Sequence, residues 1–307
     1  MDYALCLAWN WEHDAGFVSL LAEACQRHGE GLLDVTAATL PEVMTGLDRG
    51  ELSFRTILDR AGDADPAFLS LQDWARAHGA RRINACEIAR RAWNKASMHL
   101  EFLTAGIPVP YTIILPPYSE QRDIPPADLG VLGSSFGIKP ACQGGGDGVV
   151  LGATTWSAVL EARQQYPNDG YLLQASVTAT QLGTRQAWFR VLHCAGRSYP
   201  CWWDEHTHVY TQVAAQEGIE WCLGSLRHTV SRIAQVCCLE LFSTEIALTA
   251  DGALVVVDYV NDPVDLRLQS RAADGVPDEI IRDVAESLAL LAKSPTGSAI
   301  ALPPPTW

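Results

Sequence analysis

From residue 1 to about residue 92, apolar runs of strand length alternate with segments of helical period. Few architectures other than a parallel α/β layer accept that order. Tyr3–Trp9 is short and apolar, and Ala15–His28 follows with Phe17, Leu20, Leu21 and Ala24 at helical spacing. Gly31–Val35 and Phe54–Leu58 read as further strands, with a short helix at Pro41–Leu47 between them. Pro66–His78 is amphipathic and stops at Gly79, after which Arg82–Asn84 begins another strand. Parallel neighbours need a crossover between them, and these helices supply it. The sequence therefore predicts a small parallel α/β domain over residues 1–92.

A different texture follows, and it predicts two α+β lobes, residues 93–180 and 181–307. Asn94–Ala105 is helical in pattern and stops at Gly106; Pro108 and Pro110 then lead into an extended Thr112–Leu115. Pro116–Gly133 is rich in Pro and Asp and reads as a loop. Phe136–Pro140, Val149–Leu151 and Tyr171–Val177 read as strands, with a helix at Trp156–Gln165. The last lobe carries strands at Trp188–Cys194 and Ser198–Trp203 and a helix at Ser225–Cys238. A strand pair, Phe242–Leu248 and Ala253–Val260, then turns at Ala250-Asp251-Gly252 before a helix at Asp278–Leu291. The tail Leu302–Trp307 is proline-rich and expected to be extended.

Bulk properties exclude several classes of function. A net charge of −14 argues against sequence-independent nucleic-acid binding, which needs clustered Lys and Arg to displace counterions. No apolar run approaches the roughly 18 residues that span a bilayer, so no membrane association is expected. The nine cysteines form no CxxC pair, which fits free thiols in a reducing, cytoplasmic setting. Homo-oligomerisation is left open.

Three features carry chemistry. The turn Gln143-Gly144-Gly145-Gly146-Asp147-Gly148 follows directly on the strand that carries Lys139. Glycines let backbone N–H groups approach a phosphate with no Cβ in the way, although a plain hairpin loop would look the same. The chain has three lysines against nineteen arginines, and two of the three, Lys95 and Lys139, sit beside candidate nucleotide-binding segments. Lysine is a compact charge that arginine does not replace cleanly on a phosphate. Glu245 lies on one predicted strand, with Asp258 and Asn261 on the next. A hairpin would bring these hard oxygens together, as magnesium requires; polar ends on a solvated face are the plain alternative.

In this order the segments resemble the ATP-grasp superfamily, particularly ligases similar to the ribosomal-protein glutamate ligases and glutathione synthetases. The resemblance runs from about Phe54 to Gln269. Asn94-Lys95 with Ala105-Gly106-Ile107-Pro108-Val109-Pro110-Tyr111-Thr112 is similar to the family's DK…aGIPvP.T segment, and Gly137-Ile138-Lys139-Pro140 with the glycine turn to its phosphate cover. Leu172-Leu173-Gln174 looks like the strand that meets adenine, Trp188-Phe189-Arg190-Val191 like the arginine strand, and Glu245 with Val257–Pro263 like the metal strands. The resemblance implies an ATP-grasp fold behind an amino-terminal pre-ATP-grasp domain. It implies ATP on Lys95, Lys139, Gly144, Gly145, Gly146, Gly148 and Gln174. It also implies Arg190 and Lys139 in the chemistry and Mg2+ on Glu245, Asp258 and Asn261.

The reaction so implied is ATP-dependent ligation of a carboxylate to an amine or another nucleophile through an acyl phosphate. A kinase of the same fold, or a nucleotide-binding sensor without turnover, would share most of these motifs. Two positions depart from the family. Tyr259 stands where the metal strand's Glu-x-Asn places its acid, so a bulge must re-aim Asp258 or Asp262 must serve instead. Trp188 stands where the arginine strand carries aspartate. Three further features are weaker. His206-x-His208 with His193 suggests a transition metal only faintly. Trp202-Trp203-Asp204-Glu205 can line an acceptor pocket or be core. Cys142 reads as a packed thiol rather than a nucleophile.

Overall fold

The computed structural model describes residues 1–294, so the tail expected at Leu302–Trp307 lies outside the described residues. The amino-terminal part forms the parallel sheet that its alternation predicts. It comprises β1 (Asp2–Trp9), β2 (Leu32–Val35), β3 (Ser53–Arg60) and β4 (Arg81–Ile83), in the order β2-β1-β3-β4. The crossovers are α1 (Ala15–Arg27), α2 (Leu40–Asp48) and α3 (Leu69–Ala77). β1 is buried on both faces, as a central parallel strand must be. Cys6 and Ala8 join one core with Val35, Ile57 and Phe68. Leu5 and Leu7 join another with Phe17 and Leu21 of α1. A helix that the sequence reading did not assign, α4 (Cys86–Trp93), follows β4; it buries only Ala89 and Ala92, so it shows no large apolar stripe.

The middle of the chain is antiparallel. α5 (Lys95–Thr104) leads to β5 (Thr112–Leu115), β6 (Phe136–Pro140), β7 (Val150–Ala153), α6 (Trp156–Gln165) and β8 (Tyr171–Ala175). The strand order is β5-β8-β6-β7. The side chain of Asn94 caps α5 by accepting from Ser97 N–H at 2.9 Å, and that of Thr155 caps α6. Phe136, Ile138, Tyr171 and Leu173 pack with Val159 of α6 to close this unit's core.

A two-strand ribbon, β9 (Gln181–Leu182) and β10 (Arg185–Gln186), leads into the third sheet. Its strands are β11 (Trp188–Cys194), β12 (Arg197–Trp203), β13 (Tyr210–Gln212), β14 (Leu241–Leu248) and β15 (Leu254–Asn261), in the order β13-β12-β11-β14-β15. β13 and the short α7 (Ala215–Glu220) were not foreseen; both are too short to show a period. α8 (Gly224–Cys237) packs Leu226, Val230 and Ile233 against Phe189, Phe242 and Ile246. The opposite face of this sheet meets α9 (Asp278–Lys293), which buries Ile281, Val284 and Leu288 in the same core as Leu5, Leu7 and Leu21. α9 therefore lies between the first sheet and the third. Among the described residues no helix is long and apolar enough to cross a membrane.

Candidate active site

Lys139 ends β6, the strand before the glycine turn, and its Nζ donates to the Val257 carbonyl of β15 at 3.3 Å. It therefore bridges the middle and last sheets. Lys95 opens α5; its backbone N–H donates to Ala141 O at 2.8 Å, and its Nζ reaches the Gln143 carbonyl at the root of the turn. Both lysines thus meet the same segment, one from each side. An ammonium has three donors, so each keeps capacity for an anion. Burial pushes the Lys139 pKa down, and Lys95 adds to this, while Asp258 and Glu245 oppose it.

The turn is held at its ends rather than along its length. Asp147 N–H donates to Gly144 O at 3.1 Å, and Val149 N–H to Gly146 O at 3.2 Å. A Cβ on Gly144, Gly145 or Gly146 would meet nothing within 4 Å. Gly148 is different. Its φ is +69°, and a Cβ there would lie 2.6 Å from the Tyr166 ring, so only glycine fits. The Tyr166 hydroxyl also donates to the Asp147 carboxylate, tying the loop to α6.

On the opposite wall, Arg190 of β11 sits directly across from Glu245 of β14. Its Nη1 donates to Glu245 Oε1 at 3.0 Å, and its guanidinium lies 4.8 Å from the centre of the Trp203 ring. Glu245 is in turn paired with Asp258 of β15, because the β14–β15 register slips between Ser243 and Ile246. Ser243 pairs with Asn261 and Glu245 with Asp258, so β15 spends extra residues over this stretch. That is the bulge which one of the two alternatives read from the sequence called for. Its cause is Tyr259, 2% exposed, which turns into the core with its ring edge-on to Phe102. The Tyr259 hydroxyl takes a hydrogen bond from Gln174 Nε2 at 3.1 Å and pairs with His99 Nδ1 at 2.7 Å. With Tyr259 turned inward, Asp258 is left near both lysines, and Asn261 Nδ2 lies 3.5 Å from the Ser243 carbonyl.

The electrostatics follow from this crowding. Burial, and then the Asp258 charge, raise the Glu245 carboxyl to about 6 against the pull of Arg190 and Lys139. Burial also opposes charge on Asp258, but Lys139, Lys95 and Arg190 together outweigh it and hold that carboxyl below its usual range. Two carboxylates thus lie side by side, one of them short of positive charge. A hard divalent cation fits this donor set. Among the described residues no group of three or more His, Cys, Asp or Glu converges on a metal-sized space.

The remaining sequence candidates sort as follows. Asp262, the alternative acid, faces the first sheet, where it accepts from Asn84 Nδ2 at 2.8 Å and Trp93 Nε1 at 3.3 Å. It is spent there and is not beside Glu245. Gln174 is buried, with its side-chain amide committed to Tyr259. His193 is a core histidine tilted against Phe242, and burial pushes its pKa down to about 4. His208 stacks on Trp203 at the other end of the β11–β12 hairpin from His193, so the three histidines do not converge. The Cys142 thiol is pushed up by burial and by Asp169, the opposite of an activated nucleophile. Trp202 is core, and its indole N–H donates to Glu217 at 3.1 Å. The sequence reading missed Tyr259 and His99 as the pivot of the bulge. Trp188, which the sequence marks as a departure from the family, is buried in the same core as Leu192 and Trp203.

No protein-family model and no curated protein matches the chain. Solved structures do. The chain is similar to a RimK-domain ATP-grasp protein of Sphaerobacter thermophilus, with TM-score 0.63 and 20% identity, over 94% of this chain and 100% of that one. It is also similar to the ATP-grasp ligase PsnB, solved with a minimal precursor, Mg and ADP (TM-score 0.62, 14% identity, 95% of this chain and 99% of that one). A third is the D-alanine–D-alanine ligase of Bacillus anthracis, solved with ATP (TM-score 0.61, 11% identity, 95% and 99%). At these identities the likeness is one of fold.

Proposed function

Since the chain has the ATP-grasp fold, we propose that it is an ATP-dependent ligase joining a carboxylate to an amine through an acyl phosphate. One observation carries this. Lys95, Lys139 and Arg190 come from separate segments, and all three lie close enough to Asp258 to lower its pKa, beside its β-sheet partner Glu245. Such an arrangement pairs phosphate-binding cations with oxygens suited to a metal.

In this reading Lys95 and Lys139 bind the phosphates, and Gly144, Gly145, Gly146 and Gly148 cover them. Gln174 and its strand sit at the adenine edge. Glu245, Asp258 and Asn261 hold Mg2+, which supplies charge neutralisation as the terminal phosphate shifts. Arg190, fixed by Glu245 and Trp203, stabilises charge on the transferring group. A substrate carboxylate oxygen bonds to the γ-phosphorus of ATP, and the bond to ADP breaks. The amine nitrogen then bonds to the acyl carbon, the carbon–oxygen bond to phosphate breaks, and the amine proton passes to solvent. The closed loop excludes water that would otherwise consume the intermediate. We propose residues 1–92, 93–180 and 181–307 as the working units, with substrates held where the first meets the last. Nine free thiols support placement in a reducing compartment.

The test is isotopic. Incubation with Mg-ATP, amines and 18O-labelled carboxylates should release ADP and inorganic phosphate carrying one 18O, and hydroxylamine should trap the intermediate as a hydroxamate. A phosphorylated hydroxyl product with no free phosphate would replace ligation with phosphotransfer.

A further inference from the structure

Asp258 is tied to the middle sheet through both of its chain neighbours. The Val257 carbonyl before it accepts from Lys139 Nζ at 3.3 Å, and the Tyr259 hydroxyl after it accepts from Gln174 Nε2 at 3.1 Å. The two partners stand on one face of that sheet. Gln174 of β8 lies opposite Gly137 of β6, and Lys139, two residues on, lies opposite Leu172. The Tyr259 hydroxyl also meets His99 Nδ1 at 2.7 Å, and His99 follows Lys95 by one turn of α5. One buried hydroxyl thus joins α5, which carries Lys95, and the sheet that carries Lys139 to the residue beside Asp258.

These bonds have one consistent direction. The Tyr259 oxygen accepts from Gln174, so its single proton goes to His99 Nδ1. Burial pushes the His99 pKa down, which keeps that nitrogen an acceptor at neutral pH. The two ties beside Asp258 differ in kind. The lysine tie is exchangeable, because a phosphate would claim the same ammonium. The tyrosine tie is enclosed, with the ring edge-on to Phe102 and the residue 2% exposed. We infer that Tyr259 is a positioning residue, whose hydroxyl holds Asp258 at a fixed spacing from the phosphate lysines and so makes nucleotide and Mg2+ bind cooperatively. The inference rests on the ATP and magnesium assignment above and deepens it. A metal shared between Asp258 and a phosphate needs that spacing to persist once Lys139 has turned from Val257 to the nucleotide. Only the tyrosine tie is then left to hold it.

The experiment is calorimetric titration of the whole chain with a non-hydrolysable ATP analogue, first in EDTA and then in saturating Mg2+. The ratio of the two affinities measures the cooperativity. Tyr259→Phe keeps the ring and removes the hydroxyl. Its metal-free affinity should stay within about twofold of wild type, while the Mg2+ enhancement should fall by about fivefold or more. A variant that is merely less stable would melt earlier and keep the ratio. Gln174→Leu cuts the same bond from the other side, and decides the matter if Tyr259→Phe fails to fold. It should lower the ratio equally, and the double variant should lower it no further. A wild-type ratio in either folded variant, or additive losses in the double variant, overturns the inference. A wild-type chain whose nucleotide affinity ignores Mg2+ overturns the magnesium assignment and the inference with it. One that binds no nucleotide overturns the ligase reading itself.

Discussion

The two walls of the cleft are built in opposite ways. The glycine turn stands in open space, with Gly144, Gly145 and Gly146 free of neighbours and few bonds of its own. The β14–β15 hairpin is locked: Ser243 and Thr244 are fully buried, Tyr259 is pinned between Phe102 and His99, and the register slip is fixed around it. A phosphate cover must open to admit ATP, and the cost of opening scales with the contacts broken. A metal site must hold its oxygens in place while charge moves, so the same freedom would be a defect there.

Deletions on the fixed wall should have the largest effect. Glu245→Ala and Asp258→Ala are each expected to lower turnover by about two orders of magnitude or more while changing ATP affinity much less. Turnover against magnesium concentration, with thermal melts alongside, measures this. Wild-type turnover in Asp258→Ala would remove that residue from the site. Next come the lysines that join the walls. Lys139→Ala and Lys95→Ala should each cost about 1.5–3 kcal/mol of Mg-ATP affinity by calorimetry. A folded double variant with unchanged affinity would break the nucleotide assignment.

A pH series sharpens the contrast further. Glu245 is raised to about 6 from an ordinary value of 4.5, so its protonated form stabilises the fold. That contribution is complete below the unfolded value and is lost as pH rises through about 6. Magnesium needs the deprotonated carboxylate, so magnesium affinity should fall as pH drops through about 6, and Glu245→Gln should abolish the dependence. A magnesium affinity that is flat across that range in the wild type would remove Glu245 from the magnesium site. The smallest expected effects lie on the glycine turn. Gly148→Ala should destabilise the protein by about 1–3 kcal/mol, because a strained φ adds to the Tyr166 contact. Gly145→Ala should cost about 1–2 kcal/mol from φ alone. Equal melting temperatures for the two variants would show that Tyr166 does not anchor the loop. Hydrogen exchange over 143–148 should slow on nucleotide binding.

The parts of this molecule legible in the sequence are those with a period. The alternation before residue 92 and the run at Trp156–Gln165 emerge within a residue or two of their places, because one buried face dictates their spacing. α4 and α7 escaped because they bury alanines or glycine instead of large apolar groups. In the site, Lys95, Lys139 and the glycine turn were legible from their residue types. The aim of Asp258 was not. It depends on Tyr259 finding His99 and Gln174, which lie far away in the chain, and no local pattern encodes a bulge enforced by distant partners. The tyrosine in place of an acid marks where the strand departs from the family, and its burial accompanies the register slip that pairs Asp258 with Glu245.

The position of α9 between the first and third sheets bears on how the chain matures. Leu5 and Leu7 share a core with Ile281 and Leu288, which are made more than 270 residues later. On the ribosome, one face of the first sheet must wait, apolar and uncovered, until residues 278–293 have emerged. Contacts of such wide sequence separation form slowly, and the uncovered face invites association with other chains meanwhile. A nascent chain stalled before residue 278 should therefore hold to chaperones, and release should coincide with the emergence of this helix.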